Sequence, residues 1–162
     1  MVEGQGPTGS DAPLDAQWAI GALDVTDAFG RVVPITLRYN TGFLDAAVRA
    51  SVADCVTFFW RFEDDPLMGA GGPDPEMEAG LAAMEAAITD AIPGDGGSLV
   101  AVRLGNGMVE YAVAFFTDAA HESFAEGFEP PEAFFNKFAA QQFAHGHDFW
   151  PEYLPPGFET KG

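Results

Sequence analysis

Apolar and polar positions alternate most regularly across residues 98–116. Leu99-Val100-Ala101-Val102-Arg103-Leu104 is rich in β-formers, and Gly105-Asn106-Gly107 follows it. Beyond that point Val109, Tyr111, Val113 and Phe115 fall on one face, with Glu110, Ala112 and Ala114 on the other. A period of two marks a strand with one buried side. Asn-Gly accepts positive φ at both central positions of a type I′ turn. The stretch therefore predicts a β-hairpin at the centre of an α+β sheet.

The same reading extends upstream. Residues 18–25 form a first strand, Asp27-Ala28-Phe29-Gly30 supplies turn residues, and 31–39 continue as a second strand. In it Val33, Ile35, Leu37 and Tyr39 share a face while Thr36 and Arg38 point the other way. Pro34 lacks a ladder donor, which places this strand at an edge or leaves an unpaired position there. An N-terminal β-hairpin results. Residues 43–50 suit a short helix. Residues 54–62 are the most apolar strand, Val56, Phe58, Trp60 and Phe62 alternating with Cys55, Thr57, Phe59 and Arg61. Two largely apolar faces predict a central position. Residues 63–73 are acidic and then Gly-rich, a loop.

Asp74-Pro75 opens the clearest helix, an N-cap followed by proline at the first helical position. Met77, Leu81, Met84, Ile88 and Ile92 build one apolar stripe, and Glu76, Glu78, Glu85 and Asp90 lie away from it. Pro93-Gly94 ends it. After the central hairpin, Thr117-Asp118 caps a second helix over 119–128 that carries Phe124 and Phe128. Residues 132–144 stay open: Phe134 and Phe138 fit a helical face, yet 138–144 suits a last strand equally well. Residues 146–162, with Trp150, Tyr153, Pro155 and Pro156, read as an ordered cap ending in a loose tail. From Asp54 onward the order is strand, helix, strand, strand, helix and, on the second alternative, strand. That is the split β-α-β-β-α-β unit of ferredoxin-like α+β folds. Residues 1–16 are read as a flexible tail, 17–154 as a single domain and 155–162 as a C-terminal tail.

Charge narrows the classes of partner. Seven basic residues against 25 acidic ones give −18. Such a surface repels nucleic-acid phosphates and anionic lipid, so neither a nucleic acid nor a membrane is the expected partner. A basic protein partner is the positive reading, or mimicry of nucleic acid in a basic groove; solubility or a salt-adapted host accounts for the same charge. Cys55 is the single cysteine, which excludes an intrachain disulfide and fits a reducing compartment. No leader pattern and no run of about 18 apolar residues is present. The expectation is a cytoplasmic protein.

Candidate chemistry is sparse. His145-Gly146-His147-Asp148 holds metal-ligand residue types, and in an extended chain both imidazoles face one way. A useful site needs further ligands, for which His121 or Glu122 serve only if the fold brings them close. The same residues read equally as cap or surface. Glu63-Asp64-Asp65 beside Arg61 offers oxygen ligands for a divalent cation, or a solvated acidic run. Residues 69–72 lack the Lys and Ser/Thr of a phosphate-binding loop. No nucleophile-elbow, Cys-His or Ser-His arrangement is evident, and no cofactor is expected. Trp150 and Tyr153, beside Asp148, form either an exposed aromatic anchor for binding or a lid over the sheet.

Several short pieces in order carry a resemblance. They are the Trp18-led strand, Gly30, Arg38-Tyr39-Asn40, the aromatic strand through Trp60, and Gly71-Gly72-Pro73 before the long helix. Val109-Glu110-Tyr111, Phe115-Phe116-Thr117-Asp118 and the closing Asp148-Phe149-Trp150-Pro151-Glu152-Tyr153 complete the set. Together, over residues 18–153, they resemble the bacterial family catalogued as domain of unknown function 695. Phe149 stands where that family usually has proline, and the Phe-rich segment before it is long. The resemblance implies a ferredoxin-like fold similar to the protein inhibitor of ribonuclease E, makes 138–144 the last strand, and implies no catalytic residues. The expected function is a non-enzymatic acidic domain, regulatory or immunity-like, that binds a basic protein. The alternative is a metal-binding protein or metal-dependent hydrolase using His145, His147 and Asp148. A homodimer through the sheet edges or the C-terminal aromatics is a third possibility.

Overall fold

β-Branched and aromatic runs separated by turn residues resolve into one antiparallel sheet. The computed structural model describes residues 18–26, 29–61, 75–105, 107–131, 137–143 and 149–155. Its strands are β1 (Trp18–Thr26), β2 (Val32–Asn40), β3 (Asp54–Arg61), β4 (Gly97–Gly105), β5 (Met108–Phe115) and β6 (Ala139–Phe143). They lie in the order β1-β2-β4-β5-β3-β6, every neighbouring pair antiparallel. The helices are α1 (Ala46–Ala50), α2 (Pro75–Ala91), α3 (Asp118–Gly127) and α4 (Trp150–Tyr153), with a 3-10 turn at Thr41–Leu44. The fold is mixed α+β. No helix among the described residues is long and apolar enough to cross a membrane.

Period-two alternation sends the side chains of each inner strand to two separate cores. On one face Val56, Trp60, Leu99, Val109, Tyr111, Val113 and Phe115 meet Leu81, Met84 and Ile88 of α2 and Ala120 and Phe124 of α3. The apolar stripe on α2 is therefore the face it buries. Thr117 starts α3 by accepting a hydrogen bond from the Ala120 amide. Aromatic rings extend this core: Phe124 and Phe128 stack at 5.1 Å, and both pack on Phe58.

The opposite face is covered too, which the helix count in the sequence does not predict. Leu37, Cys55, Val100, Ala101, Ala112 and Ala114 pack with Phe43 of the 3-10 turn and with Phe149, Trp150, Tyr153 and Leu154. An irregularity in the β4/β5 register between Leu99 and Ala101 lets two consecutive residues, Val100 and Ala101, enter this one core. Phe43 and Trp150 stack at 5.6 Å, closing the layer between the two chain segments that form it.

One local expectation changes, and two that were left open are decided. Residues 43–50 are not one helix, because Asp45 in extended backbone caps α1 by accepting from the Ala47 amide, and so separates it from the 3-10 turn. Residues 139–143 are strand, paired to β3 from Cys55↔Phe143 to Phe59↔Ala139. Of the two expectations for Pro34 the second holds: among the described strands β1 lies outside β2, and Pro34 sits outside the Thr36–Tyr39 stretch that pairs with β4.

Candidate functional site

The sheet runs further than the helices that cover it. On the face carrying α2, β1 and β2 extend past the helical layer, and an apolar groove of about 360 Å³ opens between them and α2. Its floor is Val102, Leu104, Val109 and Tyr111; Ile20, Thr36 and Arg38 form one wall and Leu81, Ala82 and Glu85 the other. That volume lies in the range of small binding sites, about 300–1,000 Å³. Ile20 is 73% exposed at its lip, with Phe29 and Val32 also exposed elsewhere on these two strands' side of the molecule. Covering an isoleucine of this kind contributes roughly 1.5–3 kcal/mol, so the lip has apolar surface to offer a partner.

Arg38 bridges the two walls. Its guanidinium pairs with the Glu85 carboxylate of α2, both side chains partly exposed, and lies over the Trp18 ring at 5.0 Å. A cation held between a carboxylate and an indole fixes the mouth of the groove without presenting a free charge. The floor hydroxyl is committed as well: Tyr111 donates to the Leu81 carbonyl at 2.8 Å. Burial, and then the Glu85 carboxylate, push the Tyr111 phenol above its ordinary 10.0. It stays protonated near neutrality and works as a donor. The arrangement is suited to holding an apolar side chain near charge.

Two polar clusters lie elsewhere. On the face away from α2, Arg103 pairs with Glu110 at 3.3 Å, and the Tyr153 hydroxyl donates to the same carboxylate. At the start of β3, the buried Asp54 accepts from the Cys55 amide at 2.9 Å and from Gln142 at 2.7 Å, and meets His121 Nδ1 at 2.5 Å. His121 lies flat against Phe115, ring centroids 4.6 Å apart. Asp54 thus ties β3, α3 and β6 together. Cys55 is buried, and desolvation followed by the Asp54 charge raises its thiol to about 12, which leaves it a packing group.

The residues singled out from the sequence are dispersed by the fold. Trp150 and Tyr153 are buried, 8% and 3% exposed, in the core beneath β3, β4 and β5, so they pack inward and do not project as an anchor. His145, His147 and Asp148 lie outside the described residues, as do Glu63-Asp64-Asp65 and residues 69–72. His121 is held by Asp54, and Glu122 is exposed. Among the described residues no group of three or more His, Cys, Asp and Glu is placed to hold a metal ion. The groove residues were not legible beforehand, because Arg38 and Glu85 meet across 47 positions of chain. The only prior sign was Arg38 on the polar side of its strand.

No family model, curated protein or solved structure matches this chain.

Proposed function

We propose that this chain is a non-enzymatic binding domain whose groove between β1, β2 and α2 receives an apolar side chain of a basic protein. The observation that carries the reading is the half-open groove with exposed Ile20 at its lip. Charge supports the choice of partner. The net charge is −18, and α2, one wall of the groove, has Glu76, Glu78, Glu85 and Asp90 in its sequence and no Lys or Arg. A field of this sign speeds encounter with cationic surfaces and turns anionic ones away. Occupancy of a partner's basic surface is how such a domain would regulate or inhibit it.

The fold is proposed to be ferredoxin-like with an added N-terminal β-hairpin. Supporting this, the four strands after residue 53 lie in the order β6-β3-β5-β4, the fourth, first, third and second of a β-α-β-β-α-β unit, and β2 with β1 continues the sheet past β4. Membership of the domain of unknown function 695 family, and with it a bacterial source, remains a proposal on the motif order given above.

Selection from a displayed random peptide library tests the function. Peptides combining Lys or Arg with an apolar residue should enrich on the protein at low salt and weaken as salt screens the charges. Ala82→Trp, which fills the groove from its exposed wall, should abolish the enrichment. Equal enrichment on Ala82→Trp, or none on either protein, overturns the reading.

A further inference from the structure

Among the described residues that line the groove, Arg38 and Glu85 are the charged ones. They face each other from opposite walls, Arg38 on β2 and Glu85 on α2, and they are paired. This sets a conflict for a basic partner. The carboxylate that its cation would meet already holds a guanidinium, and that guanidinium repels a second one. A partner's cation therefore either stays clear of the groove or takes the place of Arg38.

Displacement is cheap here. The two side chains are 32% and 28% exposed, so water reaches both, and an ion pair of this kind adds little to stability. Arg38 also has a second hold: its guanidinium lies 5.0 Å from the centre of the Trp18 ring, a contact it keeps when the carboxylate is given up. The exchange takes place beside the apolar floor. Beyond the effect of burial, the Glu85 charge raises the Tyr111 phenol and Arg38 opposes it, so both charges act on that floor. On α2, Ala82 and Glu85 are three positions apart and share a face, about 5 Å along the helix. We propose that an arginine of the basic partner displaces Arg38 from Glu85 while a neighbouring apolar side chain enters the groove beside Ala82. Glu85 is then the residue that reads the partner's charge, and Arg38 is the competitor any cation must beat. A guanidinium meets the carboxylate on the same terms as the one it replaces, whereas an ammonium lacks the planar fork of donors. This names the charge-reading residue of the groove proposed above and rests on that reading.

The test repeats the displayed-library selection on the wild type, Arg38→Gln and Glu85→Gln. One arginine-bearing peptide enriched on the wild type is then synthesised, with a twin carrying citrulline, a neutral near-isostere, in place of arginine. Glu85→Gln should bind the arginine peptide about tenfold more weakly, the size of a lost hydrogen bond to a charged group, and should not tell it from the twin. Arg38→Gln should bind it about threefold more tightly, because the internal competitor is gone. Arg31→Gln removes an equal charge from outside the groove lining and should leave the affinity unchanged, which separates displacement from the general field. Urea midpoints of all three variants should stay near that of the wild type. A pair that only braces the groove makes Arg38→Gln and Glu85→Gln weaken binding together, and that result overturns the displacement. Equal affinity of the wild type for peptide and twin, or a wild-type selection without arginine, overturns it as well. In each of these cases the groove reading stands if Ala82→Trp still abolishes binding; no enrichment on any of the proteins overturns both.

Discussion

The Tyr153 hydroxyl donates to Glu110 Oε1 at 2.8 Å, fastening the last short helix to the middle of the sheet across 43 positions of chain. Glu110 is 8% exposed and needs its partners to remain buried as a carboxylate. Arg103 supplies the countercharge at 3.3 Å and lays its guanidinium over the Tyr153 ring at 5.4 Å. Tyr153→Phe keeps the ring and deletes the donor. A lost hydrogen bond to a charged group costs about 1.5–3 kcal/mol, so the urea midpoint should fall accordingly. Glu110→Gln in the same background should recover part of the loss, because an amide is cheaper to bury than an under-bonded carboxylate. No shift in Tyr153→Phe would mean that water replaces the hydroxyl.

Asp54 makes a sharper case, since one carboxylate holds three elements. Asp54→Ala removes the acceptor for the Cys55 amide, His121 and Gln142 together, and a cost of about 2–4 kcal/mol is expected. His121→Phe retains a ring against Phe115 and loses only one of those bonds. It should cost clearly less. Hydrogen exchange adds a spatial readout. β6 is a five-residue strand that among the described residues pairs only with β3, so its amides should open first in Asp54→Ala. Equal stability of the two variants would show that the His121 bond carries the whole effect.

Elements whose signal is local were readable from the chain. Asn106-Gly107 and the alternation through Val109, Tyr111, Val113 and Phe115 placed the central strands, and those four side chains all enter the α2-facing core. The stripe of α2 was equally local, with Leu81, Met84 and Ile88 buried as spaced, while the expected cap at Asp74 lies outside the described residues. The second core was readable only in part, in the expectation that Trp150 and Tyr153 lie over the sheet as a lid. Phe43, Phe149 and Trp150 come from segments too short for periodicity to register, and they meet beneath the sheet only because Ala101, Ala112 and Ala114 are small. The groove escaped notice for a related reason. It is a consequence of sheet width exceeding helix coverage, and neither quantity is written in any one stretch of sequence.

Gly97 is predicted to be irreplaceable. A Cβ built there lies 2.5 Å from the Ala114 carbonyl oxygen and 3.0 Å from the Phe115 ring, and the first of these contacts is with backbone in a paired strand. Gly97→Ala must therefore displace the β4/β5 pairing at its open end. A loss of about 3 kcal/mol is expected, as for other overpacked core sites. Gly21→Ala provides the control, because a Cβ there meets nothing within 4 Å. Thermal melts of the two variants should separate widely; similar melting temperatures would sink the steric argument.

Alkaline pH should destabilise the protein through three buried acids. Desolvation, aided by Asp54, raises the Cys55 thiol from 9.0 to about 12. Burial raises Tyr111 and Tyr153 above 10.0, with Glu85 and Glu110 respectively adding to the effect. The unfolded chain releases these protons at the lower, ordinary values. Above about pH 9 it therefore binds fewer protons than the native state, and unfolding becomes easier as pH rises. The stabilisation is whole below pH 9 and is lost progressively toward pH 12 and beyond, at a limiting slope of about 1.4 kcal/mol per pH unit for each group. Urea midpoints taken between pH 8 and pH 11 should show the decline. Cys55→Ala should delay its onset from near pH 9 to near pH 10, where the unfolded phenols begin to titrate. Tyr153→Phe should leave the onset in place and reduce the slope above pH 10. An onset that ignores Cys55→Ala would show that the thiol ionises in the folded protein at its ordinary pKa, and that β3 is wetter at Cys55 than the packing around it implies.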